Sequence, residues 1–206
     1  MAGKVFFSVT MSLDGFIAPD SPDELMGQQW MELQQWVFPL RFFRENLKLG
    51  EGGEEGRDND IARETFDRTG ASVMGKRMFD AGEHSWPADA PFHTPVFVVT
   101  HERRDPWERL GGTTFHFVND GIESALDRAR DAAGNRDIRI AGGAATILEF
   151  LNAGLVDEFS IALSPVLFGS GIRLFEGVDA SRVLLESIHA ESSKRVTHLT
   201  YAVRQR

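Results

Sequence analysis

Residues 137–151, DIRIAGGAATILEFL, change from strand-like to helix-like apolar spacing at the pair Gly142-Gly143. This change predicts a strand, a tight turn and the N-terminus of a helix. The first N–H groups of a helix lack partners and the helix dipole is positive there, so the amides after Gly142 can hold a pyrophosphate. A tight turn that needs glycine for its backbone angles would explain the same pair. Both interpretations remain open at this point.

Two further strand-like runs are followed by cationic residues. VMG precedes KRMF, and VVT precedes HERR, which puts Lys76, Arg77, His101, Arg103 and Arg104 directly after strand ends. Ligands of α/β sheets bind outside the carboxyl ends of the strands, where these cations would attract a phosphate group. A solvated surface accounts for the same residues, so the sequence alone leaves two alternatives.

Other catalytic and metal-binding patterns are absent from the sequence. It has no P-loop, no His-Glu-x-x-His, no Gly-x-Ser-x-Gly and no full Gly-x-Gly-x-x-Gly. The 6 histidines have no ligand spacing and there are no cysteines, so we expect neither a metal site nor thiol chemistry. Trp30, Trp36 and Trp86 lie in segments that can line a cleft or fill the core.

The composition limits the class of protein. The chain has 206 residues, of which 42% are hydrophobic and 26% charged, which suits one globular domain spanning residues 1–206. With 22 basic and 31 acidic residues, a net charge of -9 argues against binding to nucleic acid or to a membrane surface. No apolar run approaches the roughly 18 residues of a membrane span. We therefore expect a cytoplasmic protein that acts on a small molecule.

Strand-like and helix-like segments alternate along the chain. The runs VFFSVT, ASVMG, PVFVVT, TTFHFV, DIRIAG and LVDEFSIALSPVLFG predict strands, and the last two strand-like runs predict an antiparallel pair. This order implies an α/β fold with three layers, α/β/α, around a mixed, mostly parallel central sheet.

Turn and cap signals divide the helical segments. Pro39 should break the helical pattern between residues 28 and 47 into two short helices. The acidic, glycine-rich segment 50–60 predicts a mobile surface loop. Asn59 or Asp60 is expected to cap the next helix, and Asp120 with Glu123 to form a capping box at a later one.

The motifs in this order resemble the dihydrofolate-reductase-like superfamily. They are SVTMSLDGFIA, GASVMGKRMFD, VFVVTHERR, TTFHFVNDGIESALDRA and the run from IRIAGGAATI to SGIRLF. The resemblance is greatest to the branch that contains the reductase domain of riboflavin biosynthesis, the RibD C-terminal domain, and covers nearly the whole chain except about 22–59. It implies a dihydrofolate-reductase-like fold, NADPH bound across the carboxyl ends of strands, hydride transfer from nicotinamide to a heterocycle, and a homodimer.

The resemblance assigns cofactor-binding roles to three strand ends. The turn and helix start that would bind the pyrophosphate is matched by Gly142, Gly143, Ala144, Ala145 and Thr146. A second phosphate-binding helix start is matched by Gly75, Lys76 and Arg77. The strand end that would meet the adenosine 2′-phosphate is matched by Thr100, His101 and Arg103.

The same resemblance implies a nicotinamide and substrate cleft. Thr10, Asp14 and Ile17 match the strand and loop that border the nicotinamide, with Asp14 as the candidate polar anchor or proton relay. An Asp-Gly turn accounts for Asp14 as well. A loop near the same cleft in the riboflavin-type branch is matched by Pro165, Gly169 and Gly171.

The sequence also departs from the family. Met78 stands where folate reductases commonly have a phosphate-binding threonine, and the folate-type Leu-Pro-Trp segment with its following acidic residue is absent. These differences argue against folate as the substrate. The segment 19–43, which should contact the substrate, is the part least like either branch.

Three functions follow from these observations. The leading hypothesis is an NADPH-dependent reductase of a small heterocyclic, pteridine- or pyrimidine-like, or carbonyl-type acceptor. The alternative is a non-catalytic NADP(H)-binding sensor or interaction module, because no proton donor is identified. A flavin or deazaflavin carrier is a weaker third hypothesis.

Overall fold

The computed structural model describes residues 3–21, 24 and 27–206. The strands are β1 Val5–Ser12, β2 Phe16–Ala18, β3 Thr69–Gly75, β4 Pro95–Val99, β5 Trp107–Glu108, β6 Thr114–Val118, β7 Asp137–Gly142, β8 Glu158–Ser164, β9 Ile172–Arg173, β10 Val183–Ser192 and β11 Thr197–Gln205. The helices are α1 Gln28–Gln34, α2 Arg41–Asn46, α3 Arg57–Asp67, α4 Lys76–Glu83, α5 Ile122–Ala133 and α6 Ala144–Asn152.

Nine of the strands form one mixed sheet in the order β10-β11-β8-β1-β7-β3-β4-β6-β5. The neighbours from β8 to β6 are parallel, whereas β10, β11 and β5 extend the sheet through antiparallel pairs. The short strands β2 and β9 pair separately. Parallel strands end at the same edge of a sheet, so the six central strands bring their carboxyl ends together.

Apolar residues cover both faces of the sheet. On one face, α5 and α6 pack over the central strands, with Leu126, Ile147 and Phe150 almost fully buried. The other face carries a cluster around Phe79 of α4 and a separate cluster around Phe42 and the first three helices. The predicted three-layer α/β arrangement is therefore confirmed.

The break at Pro39 is confirmed, because α1 ends at Gln34 and α2 begins at Arg41. The predicted strands and the terminal antiparallel pair are also present. Within the described residues, no helix combines the length and apolar character needed to cross a membrane.

Two predicted helix caps are wrong. The N-cap of α3 is Gly56, so the segment 50–60 enters the helix at Arg57, and the Asn59 side chain instead accepts a hydrogen bond from the Phe42 amide. The N-cap of α5 is Gly121, which makes no side-chain cap, and Asp120 pairs with Arg128. In both places the N-cap is a glycine with positive φ. Gly56 lies three or four residues before the expected cap of α3, and Gly121 lies one residue after the expected cap of α5.

A carboxylate ties the turn after β1 to the loop after β8. Asp14 accepts hydrogen bonds from the Ser12 hydroxyl at 2.6 Å, the Gly169 amide at 2.7 Å and the Phe168 amide at 3.1 Å. The Ser12 hydroxyl and these amides lower the pKa of Asp14 to about 2. The predicted Asp-Gly turn is present as well, since the Gly15 amide donates to the Ser12 carbonyl.

We expect Asp14→Asn to lower the melting temperature at pH 7, because the amide would present N–H donors to a site that supplies donors. The folded-state pKa of Asp14 lies below the ordinary value of 3.8, so its stabilisation is complete above about pH 4 and is lost as the pH falls toward 2. Thermal unfolding from pH 7 to pH 3 should show the difference between variant and parent narrowing below pH 4.

The matched control is Asp131→Asn, which changes an exposed carboxylate on α5 that has no hydrogen-bond or ion-pair partner among the described residues. This variant should unfold at the parent's temperature at pH 7. A melting-temperature difference between Asp14→Asn and the parent that stays constant down to pH 3 would contradict the proposed clamp.

Candidate functional site

The strand ends that carry the predicted phosphate-binding residues lie side by side. Gly75 at the end of β3 is in register with Val99 of β4, and the preceding Met74 is in register with Gly142 of β7. Residues far apart in sequence are therefore neighbours at one edge of the sheet. This is the edge at which α/β proteins bind ligands.

The turn between β7 and α6 leaves backbone amides free. Gly142 has a φ of 131°, a conformation that favours glycine, and the Gly142-Gly143 peptide bond is cis. Gly143 is the N-cap of α6 and makes no side-chain cap. The Ile147 amide donates to the Gly143 carbonyl. The three preceding amides, of residues 144–146, have no partner inside the helix.

Gly143 faces open space. A Cβ at this position would meet no protein atom within 4 Å, and its φ of -75° and ψ of -168° are accessible to any residue. The backbone of the fold therefore does not need glycine here. The free amides beside an open surface fit a phosphate group that approaches the backbone closely.

Gly75 has a different reason to be glycine. A Cβ there would overlap the hydroxyl oxygen of Thr146, because the start of α4 packs directly against the start of α6. Gly75 is the N-cap of α4 and makes no side-chain cap. Two uncapped helix N-termini thus converge on the same region of the edge.

The predicted cations divide into engaged and free groups. The Lys76 ammonium contacts the carboxylates of Asp80 at 2.6 Å and Glu102 at 3.3 Å, and the Asp80 contact leads the interactions that raise its pKa. The Arg77 guanidinium donates to the Asp20 carbonyl at 2.7 Å. The charge that Lys76 brings to this edge is therefore already largely compensated by the two carboxylates.

The loop after β4 carries an imidazole and a guanidinium that face solvent. His101 and Arg103 are exposed and have no hydrogen bond or ion pair within the part of the chain that the structure describes. Thr100 is buried, and its hydroxyl accepts the Glu102 amide, which fixes the turn. Arg104 instead pairs with Glu83 at 2.5 Å.

A split in the sheet adjoins the glycine turn. Strands β1 and β7 pair only at Val5–Ile138 and Phe6–Arg139, although β1 continues with β8 as far as Ser12. Beyond Phe6 the two central strands diverge, which opens the sheet at its carboxyl edge. A crevice of this kind between neighbouring strands is where α/β folds accept ligands.

The residues predicted to border the nicotinamide lie on β1 and on the turn and short strand that follow it. The Thr10 hydroxyl donates to Gln34 at 2.8 Å and accepts from the Trp36 indole at 3.0 Å, so Thr10 joins β1 to the helix layer. Ile17 is partly buried and packs against the core cluster that includes residues of α5 and α6. Asp14 stays ionised at neutral pH, and its carboxylate is used to hold the loop 166–169.

The loop after β8 meets the turn after β1. Pro165 is exposed, and Gly169, with a φ of 75°, donates its amide to Asp14. Gly171 has a φ of 138° and lies so close to the Ala18 carbonyl that a side chain would be obstructed. These two glycines therefore shape the loop after β8 through its backbone geometry.

Some predicted cleft residues lie elsewhere. Trp86 is partly buried and stacks on Phe115 with ring centroids 5.1 Å apart, against the apolar cluster around Phe79 of α4. One cavity of about 420 Å³ lies beside β5 and another of about 250 Å³ lies near the start of β3, and neither is lined by the glycine turn. Within the segment 19–43, positions 22, 23, 25 and 26 lie outside the described residues.

The sequence-based reasoning missed Ser12 and Arg139. The Ser12 hydroxyl donates a hydrogen bond to the Asp14 carboxylate. A serine two residues before an aspartate in a turn could have indicated this contact. Arg139 ends the pairing of β1 with β7, a position that depends on which strands are neighbours.

Comparisons with known proteins identify the relatives of the chain. It is 36% identical over 140 residues to the uncharacterized protein YyaP of Bacillus subtilis (strain 168), covering 68% of this chain and 70% of that protein. A putative riboflavin biosynthesis protein from Shewanella sp. PV-4 shares the fold, with a TM-score of 0.68 and 23% identity over 99% of both chains. Dihydrofolate reductase from Enterococcus faecalis, complexed with NADP(H), has a TM-score of 0.57 at 14% identity over 98% of both chains.

The fold is thus dihydrofolate-reductase-like, as the resemblance implied. The family model described as the RibD C-terminal domain matches residues 3–199, which is nearly the whole chain. The chain belongs to the RibD C-terminal domain family.

Proposed function

We propose that this protein is an NADPH-dependent reductase that transfers a hydride to a small heterocyclic, pteridine- or pyrimidine-like, or carbonyl-type acceptor. The observation that carries the proposal is the convergence of two uncapped helix N-termini beside the open surface at Gly143. Membership of the RibD C-terminal domain family supports it.

Each strand end has a part in holding the cofactor. The amides of residues 144–146 would bind the pyrophosphate through the free N–H groups of α6. His101 and Arg103, which are exposed and have no partner in the described part of the chain, would bind the 2′-phosphate. When bound, NADPH supplies the hydride.

The acceptor would enter the split between β1 and β7. There Thr10, whose hydroxyl is held by Gln34 and Trp36, would line one side of the entrance. Asp14 positions the loop 166–169 and does not donate a proton at neutral pH, because its pKa is about 2. The chain therefore contributes binding and alignment to the reaction.

We expect Gly143→Val to weaken NADPH binding at least tenfold, which corresponds to about 1.4 kcal/mol. The added side chain would occupy the space that the phosphate needs, while no protein atom within 4 Å opposes its Cβ. Calorimetric titration with NADPH measures the affinity, and thermal unfolding verifies that the fold is retained.

Gly75→Ala provides the contrast. Its Cβ would overlap Thr146, so this variant should unfold at a lower temperature than Gly143→Val. Unchanged NADPH affinity in a folded Gly143→Val protein would refute the assignment of this turn.

We expect Arg103→Ala to weaken NADPH binding while NADH binding stays unchanged, because the lost guanidinium would contact a phosphate that NADH lacks. A fivefold to tenfold loss is consistent with one partly exposed charged hydrogen bond, about 1 to 1.5 kcal/mol. The matched control is Arg130→Ala, an exposed cation on α5 that pairs with Asp127. Equal losses for both nucleotides would contradict the role in 2′-phosphate recognition.

Catalysis is tested by the absorbance of NADPH at 340 nm in the presence of pteridine, pyrimidine and carbonyl acceptors. We expect one of these classes to accelerate NADPH oxidation, with Gly143→Val reducing the rate at limiting NADPH. Tight NADPH binding without oxidation by any class would instead support the non-catalytic sensor.

A further inference from the structure

The strands at one end of the sheet, β10 and β11, carry their charged residues on a single face. Alternate residues of β11, which are Gln205, Val203, Tyr201, Leu199 and Thr197, are in register with Val183, Leu185, Ser187, Ala190 and Ser192 of β10. Residues directly opposite each other in an antiparallel pair share a face, and none of these ten residues is charged. Glu186, Glu191 and Arg204 belong to the register pairs of the other face.

The uncharged face of β10 and β11 continues the face that holds the main core. Tyr201 and Leu199 are in register with Phe159 and Ile161 of β8, which are buried in the same apolar cluster as residues of α5 and α6. Those two helices pack on β3 and β7, in the middle of the sheet. The face therefore runs on past the helices, through β11 and β10, to the edge of the sheet.

Apolar side chains on this outer part of the face reach solvent. Leu185 is 45% exposed, and Phe175, whose ring centroid is 5.6 Å from that of Phe159, is 38% exposed. Ala190 is exposed, and Leu199 and Tyr201 are partly exposed. The outer apolar face is the name we use below for Phe175, Leu185, Ala190, Leu199 and Tyr201.

The charged face of the same strands lies against α3. The Glu191 carboxylate accepts a hydrogen bond from the Nε of Arg57 at 3.0 Å. The Nε2 atom of His198, the register partner of Glu191, is 2.8 Å from the Asp58 carboxylate. Antiparallel sheets commonly turn their apolar face to the core and their polar face to water. At β10 and β11 the charged face has a helix against it and the apolar face is open, which marks the apolar face as an interaction surface.

The charge of the chain indicates which partner this surface fits. With a net charge of -9, two copies repel each other wherever their acidic surfaces meet. On the outer apolar face they can approach without placing like charges opposite each other. Sheet faces also pack well on sheet faces, at a separation of about 10 Å. A second copy of the chain supplies such a face with no charge on it.

We propose that the outer apolar face binds the same face of a second copy of this chain, sheet against sheet, in a dimer with two-fold symmetry. This inference goes beyond the proposed reductase function and does not depend on it. A two-fold axis brings the same patch of both copies together, so one uncharged face per chain is sufficient and the assembly closes at two copies.

The size of the face limits the strength of the dimer. Residues 185–192 of β10 span about 26 Å, and the three strands β10, β11 and β8 are together about 14 Å wide. Two faces of this size bury roughly 1,000 Å² of accessible surface in total, which is the lower limit of a specific interface. We therefore expect a dimer that dissociates in the micromolar range.

Sedimentation velocity over a wide range of protein concentration, spanning the micromolar region, tests the proposal. We expect the parent to be monomeric at the lowest concentration and dimeric at the highest. Its melting temperature should rise with concentration, because association stabilises the folded state.

Leu185→Lys puts a charge into the outer apolar face and should raise the dissociation constant of the dimer at least tenfold. The matched control is Leu184→Lys, because Leu184 is the preceding residue of β10, is 48% exposed and faces the other way, in register with Arg204. This control should dimerise as the parent does. Both substitutions make the chain less acidic, so a loss confined to Leu185→Lys cannot come from general repulsion.

Ala190→Lys tests the same face at a second position and should weaken the dimer as Leu185→Lys does. All three positions are exposed, so the variants should remain folded, which far-UV circular dichroism verifies. Dissociation constants that are equal for the parent and Leu185→Lys, or equal losses for Leu184→Lys and Leu185→Lys, would overturn the inference. A parent that stays monomeric at every concentration, or one that assembles beyond two copies, would also overturn it.

Discussion

Parallel pairing of the six central strands is the constraint on which the rest of this structure depends. It brings the ends of β3, β4 and β7 to one edge and aligns Gly75 with Val99 and Met74 with Gly142. Because the helices that follow β3 and β7 begin at this edge, their free amides converge. The close approach of Gly75 to Thr146 then fixes the distance between the two helix starts.

The glycines at this edge serve different physical purposes. Gly75 is required by packing, Gly142 by a positive φ, and Gly143 by neither of these within the protein. A glycine that the fold does not need, next to amides without partners, is the feature on which the proposed phosphate site rests. The same reasoning separates His101 and Arg103 from Lys76, whose charge is taken up by carboxylates.

Two arginines on one sheet face show how charge is distributed around the cleft. Arg68 has two carboxylate partners, on the first residues of β7 and β8 at the amino end of the central strands. Arg139 has none among the described residues and lies at the last position where β1 pairs with β7.

The sequence by itself determined the alternation of strands and helices, the break at Pro39 and the turn at Gly142-Gly143, because periodicity, proline and glycine act locally. Motif order also indicated the family. Only the tertiary structure decided the caps at Gly56 and Gly121, the clamp from Asp14 to residues 168 and 169, and the stacking of Trp86 on Phe115. It likewise decided that Lys76 is paired and Arg139 is not, since the partners of a charge depend on which strands and helices become neighbours.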